Sequence, residues 1–254
     1  MERKVVASKV PEVTVLFWII KVFATTLGET GGDAASMSLH LGYLLSTGIF
    51  ALVFVLAVTA QIRASRFHPL LYWITVIATT TVGTTLADFA DRSLGIGYPG
   101  GASILLCLVL VSLLAWYLTL GTVAVDSVRS PRTEVFYWVT IMFSQTLGTA
   151  LGDWTADSLG LGYLGGAALF GSMLALLALA YFWTRISRTL LFWAAFILTR
   201  PLGAVVGDLL DKPLGQGGLA LSRYTASAVL FGLILLLIFT LPHRPAMATV
   251  PAEE

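Results

Sequence analysis

Four times in this chain an aspartate follows a tryptophan at a fixed distance, each time inside a stretch apolar enough to lie in a membrane. The copies read Trp18…Gly28-x-x-x-Gly32-Asp33, Trp73…Gly83-x-x-x-Ala87-Asp88, Trp138…Gly148-x-x-x-Gly152-Asp153 and Trp193…Gly203-x-x-x-Gly207-Asp208. In each, the first glycine stands ten residues after the tryptophan and the aspartate fifteen. Three copies close on His40-Leu41-Gly42-Tyr43, Gly95-Ile96-Gly97-Tyr98 and Gly160-Leu161-Gly162-Tyr163, the fourth on Gly215-Gln216-Gly217-Gly218. Recurrence at fixed spacing means one supersecondary unit used four times. A carboxylate near hydrocarbon is costly, so one repeated fourfold is a candidate functional site.

Hydrophobic residues make up 57% of the chain and charged ones 11%, with mean hydropathy +0.87. That composition excludes a soluble domain and predicts an all-α polytopic membrane protein. Eight stretches, about 13–33, 41–62, 70–90, 100–122, 134–155, 163–184, 189–210 and 222–241, are each long enough to cross a hydrocarbon core of ~30 Å. They leave residues 1–254 as one membrane domain. The lone Cys107 lies mid-segment and is expected to be a small core residue.

Charge is distributed unevenly. Arg3, Lys4, Lys9, Arg63, Arg66, Arg129, Arg132, Arg185, Arg188 and Arg244 fall at the termini or in connections on one side, against Arg92, Lys212 and Arg223 on the other. The positive-inside rule therefore places both termini in the cytoplasm and the repeated acids toward the outer leaflet.

The tryptophans are spaced 55, 65 and 55 residues apart, giving two halves of matching layout, 13–122 and 134–241. Each repeat is expected to be a helical hairpin: a motif helix, a tight glycine turn and a plainer second helix. An even number of segments separates equivalent hairpins, so the halves run parallel and relate through an axis along the membrane normal. Gly28/Gly32, Gly83/Ala87, Gly148/Gly152 and Gly203/Gly207 let helix backbones approach closely. The four motif helices are therefore expected inside, ringed by four apolar ones.

At 1.5 Å per residue the four aspartates lie ~22 Å beyond their tryptophans, in one layer. Second acids share their helix faces: Glu29 with Asp33, Asp91 with Asp88, Asp157 with Asp153 and Asp211 with Asp208. Clustered carboxylates with hydroxyls nearby suit a hard divalent cation, Mn²⁺ or Mg²⁺, as a bound ion. The alternative is that the acids cap short helices, with Arg92 and Lys212 neutralising the second acids at the surface. Lys21 and Arg200 lie deeper, on the stripe of the motif glycines. Thr25, Thr80 and Gln145 align with Arg200 in the other copies, and the five form a candidate substrate or gating set. Lys21 stands close enough to Trp18 to snorkel to the interface. His40 is expected to be a loop residue. No nucleophile elbow, Walker loop, zinc-binding helix or nucleic-acid motif is present, and enzyme chemistry has no support.

The repeated pattern resembles a family of bacterial inner-membrane proteins built from a four-copy repeat of unknown function, usually labelled uncharacterised membrane-anchored proteins. The resemblance covers about residues 13–241. The family's Gly-Asp pairs fall on Gly32-Asp33, Gly152-Asp153 and Gly207-Asp208, and Ala87-Asp88 departs at the glycine. It implies a location and a repeat architecture, not a substrate. A transporter or channel for a small cation is the expected function. The alternatives are a proton-coupled carrier of an anionic or organic solute using Arg200 and Lys21, and a structural or assembly subunit. The bilayer and the transported cation or solute are the expected partners, with homo-oligomers possible.

Overall fold

The structure, a computed structural model, describes residues 3–251. Of Arg3 and Lys4 only the backbone is described, and their side chains lie outside the described residues. The architecture is all-α apart from one pair of terminal strands. Eight helices follow one another: α1 (Val15–Asp33), α2 (Gly42–Arg63), α3 (Pro69–Asp88), α4 (Tyr98–Leu120), α5 (Pro131–Asp153), α6 (Gly162–Trp183), α7 (Arg188–Asp211) and α8 (Arg223–Thr240). Six of them are long and apolar enough to cross a membrane. The other two, α1 and α5, carry buried charged and polar side chains instead, among them Lys21, Glu29 and Asp33 on α1 and Glu134, Gln145 and Asp153 on α5.

The motif helices form a closed ring, α1 against α3, α3 against α5, α5 against α7, and α7 back against α1. The expected hairpin is shifted by one helix. Each plainer helix packs chiefly on the motif helix of the following repeat, α2 on α3, α4 on α5 and α6 on α7, while α8 closes the circle on α1. The glycines explain the offset. A Cβ on Gly28, Gly83, Gly148 or Gly203 would stand within 2.9 Å of Thr80, Gln145, Arg200 or Thr25, respectively, always on the next motif helix. Each repeat thus presents its small residues forward, and the close approach they permit joins motif helix to motif helix.

The second helices form the outer layer. Only 11% to 22% of the most apolar window is buried in α2, α4, α6 and α8, against 72% and 61% for α3 and α7. Cys107 is exposed on α4, which corrects the core placement. Near-uniform Leu, Ala and Val gave no sequence signal for which face of that helix turns outward.

After each of the first three aspartates the chain widens into a π-helical turn, Ala34–Ser38, Phe89–Ser93 and Trp154–Ser158. Pro213 stops this in the fourth copy, where α7 ends at Asp211 and a short 3₁₀ turn follows. The glycine at the second turn position is left-handed in all four copies, at Gly42, Gly97, Gly162 and Gly217. His40 takes the same conformation (φ 56°) where Gly95 and Gly160 stand in the next two copies, and it is exposed.

Two strands missed by the helical pattern, β1 (Arg3–Pro11) and β2 (Pro245–Pro251), pair antiparallel and join the chain ends. They lie at the tryptophan end of the ring. Ser8 Oγ donates to the carbonyls of Val125 and Val128, and buried Lys9 pairs with Glu134 at 2.6 Å.

Candidate functional site

Along the ring axis, residues at one offset from their tryptophans meet as layers. The first is aromatic. Tyr72 and Tyr137 share a hydroxyl–hydroxyl bond of 2.6 Å, and Phe17 packs against Trp73 and Phe192. Three residues past the tryptophan stand Lys21, Val76, Ile141 and Phe196. Lys21 is fully buried and does not snorkel. Its Nζ lies 4.1 Å from the centre of the Phe196 ring and has no hydrogen-bond partner among the described residues. Roofing by the aromatic layer and the terminal strands closes the route to the interface.

One turn further come Thr25, Thr80, Gln145 and Arg200, all fully buried. Thr25 is satisfied by the carbonyls of Lys21, Val22 and Thr199, whereas Thr80 Oγ1 and the Gln145 amide have no hydrogen-bond partners among the described residues. Arg200 reaches up into the next layer, formed by Glu29, Thr84, Thr149 and Ala204. Its Nη2 donates to Glu29 Oε2 at 2.9 Å, to Thr84 Oγ1 at 2.7 Å and to Thr149 Oγ1. Those three acceptors occupy equivalent positions in three different repeats, so one guanidinium nitrogen holds the middle of the ring. Thr84 and Thr149 owe this role to Arg200, which only the fourth copy carries. No single repeat reveals it.

The aspartate layer lies beyond. Asp33, Asp88, Asp153 and Asp208 are all at least 97% buried. None of Asp33, Asp88 and Asp153 makes a side-chain capping bond to the turn that follows it, so helix capping does not account for them. Arg92 and Lys212 turn inward rather than bridging at the surface. Arg92 pairs with Asp88 at 3.0 Å and with Asp153 at 3.4 Å, while Lys212 pairs with Asp208 at 3.0 Å and with Asp33 at 2.6 Å. Each cation ties its own repeat's aspartate to that of the next repeat around the ring. The pattern recurs every second repeat because position 19 after the tryptophan is Met37, Arg92, Asp157 and Lys212 in turn. Burial works against the charge on Lys212. Asp208 and Asp33 outweigh it and hold the proton well above the ordinary lysine range.

Arg223 completes the layer, 3.0 Å from Asp211 and 3.7 Å from Asp33. The three basic residues on the acidic side of the sequence thus all pair with acids of the site. Two groups of three carboxylates bring one oxygen each within 4.8 Å of one another, Glu29/Asp153/Asp208 and Asp33/Asp208/Asp211. Asp88 stays with Arg92 outside both groups. Asp91 sits apart against Gly101, and Asp157 is exposed and accepts from Tyr98 at 3.3 Å. Of the eight acids expected to bind metal, five therefore converge.

These features define a fourfold-repeat, multi-pass helical membrane protein whose repeats meet on a buried carboxylate layer. The chain belongs to the family described as Repeat of Unknown Function (DUF347), whose model matches residues 16–67, 71–122, 136–187 and 191–244. No curated protein and no solved structure matches it.

Proposed function

We propose that the protein is a carrier or channel for a small cation, with Mn²⁺ or Mg²⁺ first, in a bacterial inner membrane. In this proposal all eight helices cross the bilayer as two parallel halves, 13–122 and 134–241, with both termini cytoplasmic. One observation carries the functional part. Among the described residues, the carboxylates Glu29, Asp33, Asp88, Asp153, Asp208 and Asp211 share only Arg92, Arg200, Lys212 and Arg223 as cationic partners. With all six ionised, the carboxylates exceed these cations by two negative charges, the charge of one divalent cation. Carboxylate oxygens at this spacing suit a hard ion.

The cation approaches from the acidic end, where Arg92 and Arg223 keep part of their side chains exposed. Glu29, held by Arg200, forms the floor of the layer. The unpaired Lys21, Thr80 and Gln145 below it separate the acids from the aromatic end.

Calorimetric titration of the purified protein with Mn²⁺ and Mg²⁺ at pH 7.5 and 5.5 tests this. Binding is expected at the higher pH and should weaken at the lower, because protons compete for the same oxygens. An Asp88→Asn/Asp153→Asn double variant that stays folded should bind more weakly. No binding of either ion to the wild type overturns the proposal and leaves the acids in a structural or assembly role. The unpartnered Lys21 Nζ and the free Nε and Nη1 of Arg200 favour a second reading, a proton-coupled carrier of an anionic or organic solute. Cation-independent uptake of an anion, lost in Lys21→Met, would select it.

A further inference from the structure

The two carboxylate triads are not separate. Asp208 belongs to both, and each triad already holds tethered cations, Lys212 and Arg223 at the outer one and Arg200 and Arg92 at the inner one. At the outer one, Lys212 Nζ stands 2.6 Å from Asp33 Oδ2 and 3.0 Å from Asp208 Oδ1. At the inner one, Arg200 Nη2 stands 2.9 Å from Glu29 Oε2. The partners do not saturate the oxygens. Among the described residues Asp211 Oδ1 is buried without a hydrogen-bond partner, and Asp208 Oδ1 has only the Lys212 ammonium, at 3.0 Å. Buried carboxylate oxygens left unbonded cost free energy, and a cation seated among them supplies what is missing.

We infer that the layer comprises two successive cation sites sharing Asp208, an outer one of Asp33, Asp208 and Asp211 and an inner one of Glu29, Asp153 and Asp208. Lys212 and Arg200 act as built-in competitors for them. The inference rests on the cation reading above and gives it a direction of travel. A cation arriving from the acidic end displaces the Lys212 ammonium from Asp33 and Asp208. Asp208 then hands it inward, where it competes with Arg200 for Glu29. One ion at a time is expected, since the layer lacks only two positive charges and the sites share a ligand.

Mn²⁺ binding to the purified protein, followed by electron paramagnetic resonance and calorimetry, tests this, with gel filtration and thermal melting as fold controls. Wild type should bind one equivalent. Asp211→Asn and Asp153→Asn should each keep one weakened site, the inner and the outer respectively, whereas Asp208→Asn should lose both. Lys212→Met removes no carboxylate and should tighten binding by roughly tenfold or more, the scale on which a neighbouring opposite charge alters a carboxylate's affinity for a proton. Lys212→Arg keeps the charge and should not tighten it. If Asp211→Asn and Asp153→Asn abolish binding as completely as Asp208→Asn, there is a single site, and the inference fails while the cation reading stands. Unchanged affinity in a folded Lys212→Met protein removes Lys212 as competitor and overturns the inference on that point. Absence of Mn²⁺ and Mg²⁺ binding to the wild type overturns the cation reading and the inference together.

Discussion

The two ends of the central ring are built from the same four helices yet stabilised by opposite means. At the tryptophan end the repeats supply like to like. Phe17, Tyr72, Tyr137 and Phe192 stand at one offset and pack with Trp73, Trp138 and Trp193, and among the described residues Lys9–Glu134 is the one charged pair beside them. At the acidic end the four aspartates are also alike, but each cation near them is particular to its copy. Arg200 has no counterpart in the other three, and Arg92 and Lys212 alternate with Met37 and Asp157. One end is a packing problem solved four times over. The other is an electrostatic problem that identical repeats cannot solve, because four like charges at one depth repel.

Breaking the central pair should separate the two ends most sharply. Arg200→Met strands Glu29 without its cation in a dry interior and should destabilise the protein by about 3–5 kcal/mol. Thermal melting in detergent checks this, and Glu29→Gln added to Arg200→Met should restore part of the loss. If Arg200→Met melts like wild type, the central pair contributes nothing and the contrast collapses.

A smaller effect is expected where geometry alone is altered. Gly148→Ala drives a Cβ into the Arg200 stem and should cost about 1–3 kcal/mol. Gly171→Ala, on α6 with open space around it, should be neutral or stabilising by up to ~1 kcal/mol. Equal melting temperatures for the two variants would mean that α5 and α7 do not approach as closely as described. Smallest of all, Tyr72→Phe removes one neutral hydroxyl bond at the aromatic end and should cost only about 1 kcal/mol. It should leave Mn²⁺ binding untouched, since the change lies layers away from Glu29. A loss of binding in Tyr72→Phe would show that the two ends are coupled.

Much of this fold can be read from the residues. The Trp-to-Asp interval sets helix phase, so the inner position of the motif helices and the common depth of Asp33, Asp88, Asp153 and Asp208 follow from it. Gly28, Gly83, Gly148 and Gly203 mark close approach, but spacing alone cannot say which helix approaches. The forward offset between repeats therefore emerges only in three dimensions. The inward turn of Arg92 and Lys212 was hidden for a related reason. Next to Asp91 and Asp211 they look like surface neutralisers, yet the i,i+4 relation to Asp88 and Asp208 aims them at the layer. Glu134 gave no signal, because an acid in the first turn of a helix is ordinary. Its partner Lys9 comes from a strand that the membrane pattern leaves out.

The partners of α1 have a consequence for how the chain is made. Glu29 waits for Arg200, 171 residues downstream, and Asp33 for Lys212, 179 residues downstream. Lys21 likewise lies against Phe196. The helix α1 therefore carries three ionisable groups whose companions are synthesised only much later along the chain. It is also one of the two helices that fall short of a membrane span by composition. If α1 crosses the bilayer, as proposed above, it is expected to need shelter until α7 emerges. A truncated chain ending before Arg200 retains Glu29 and Asp33 without Arg200 and Lys212, and is expected to be less stable than the full chain.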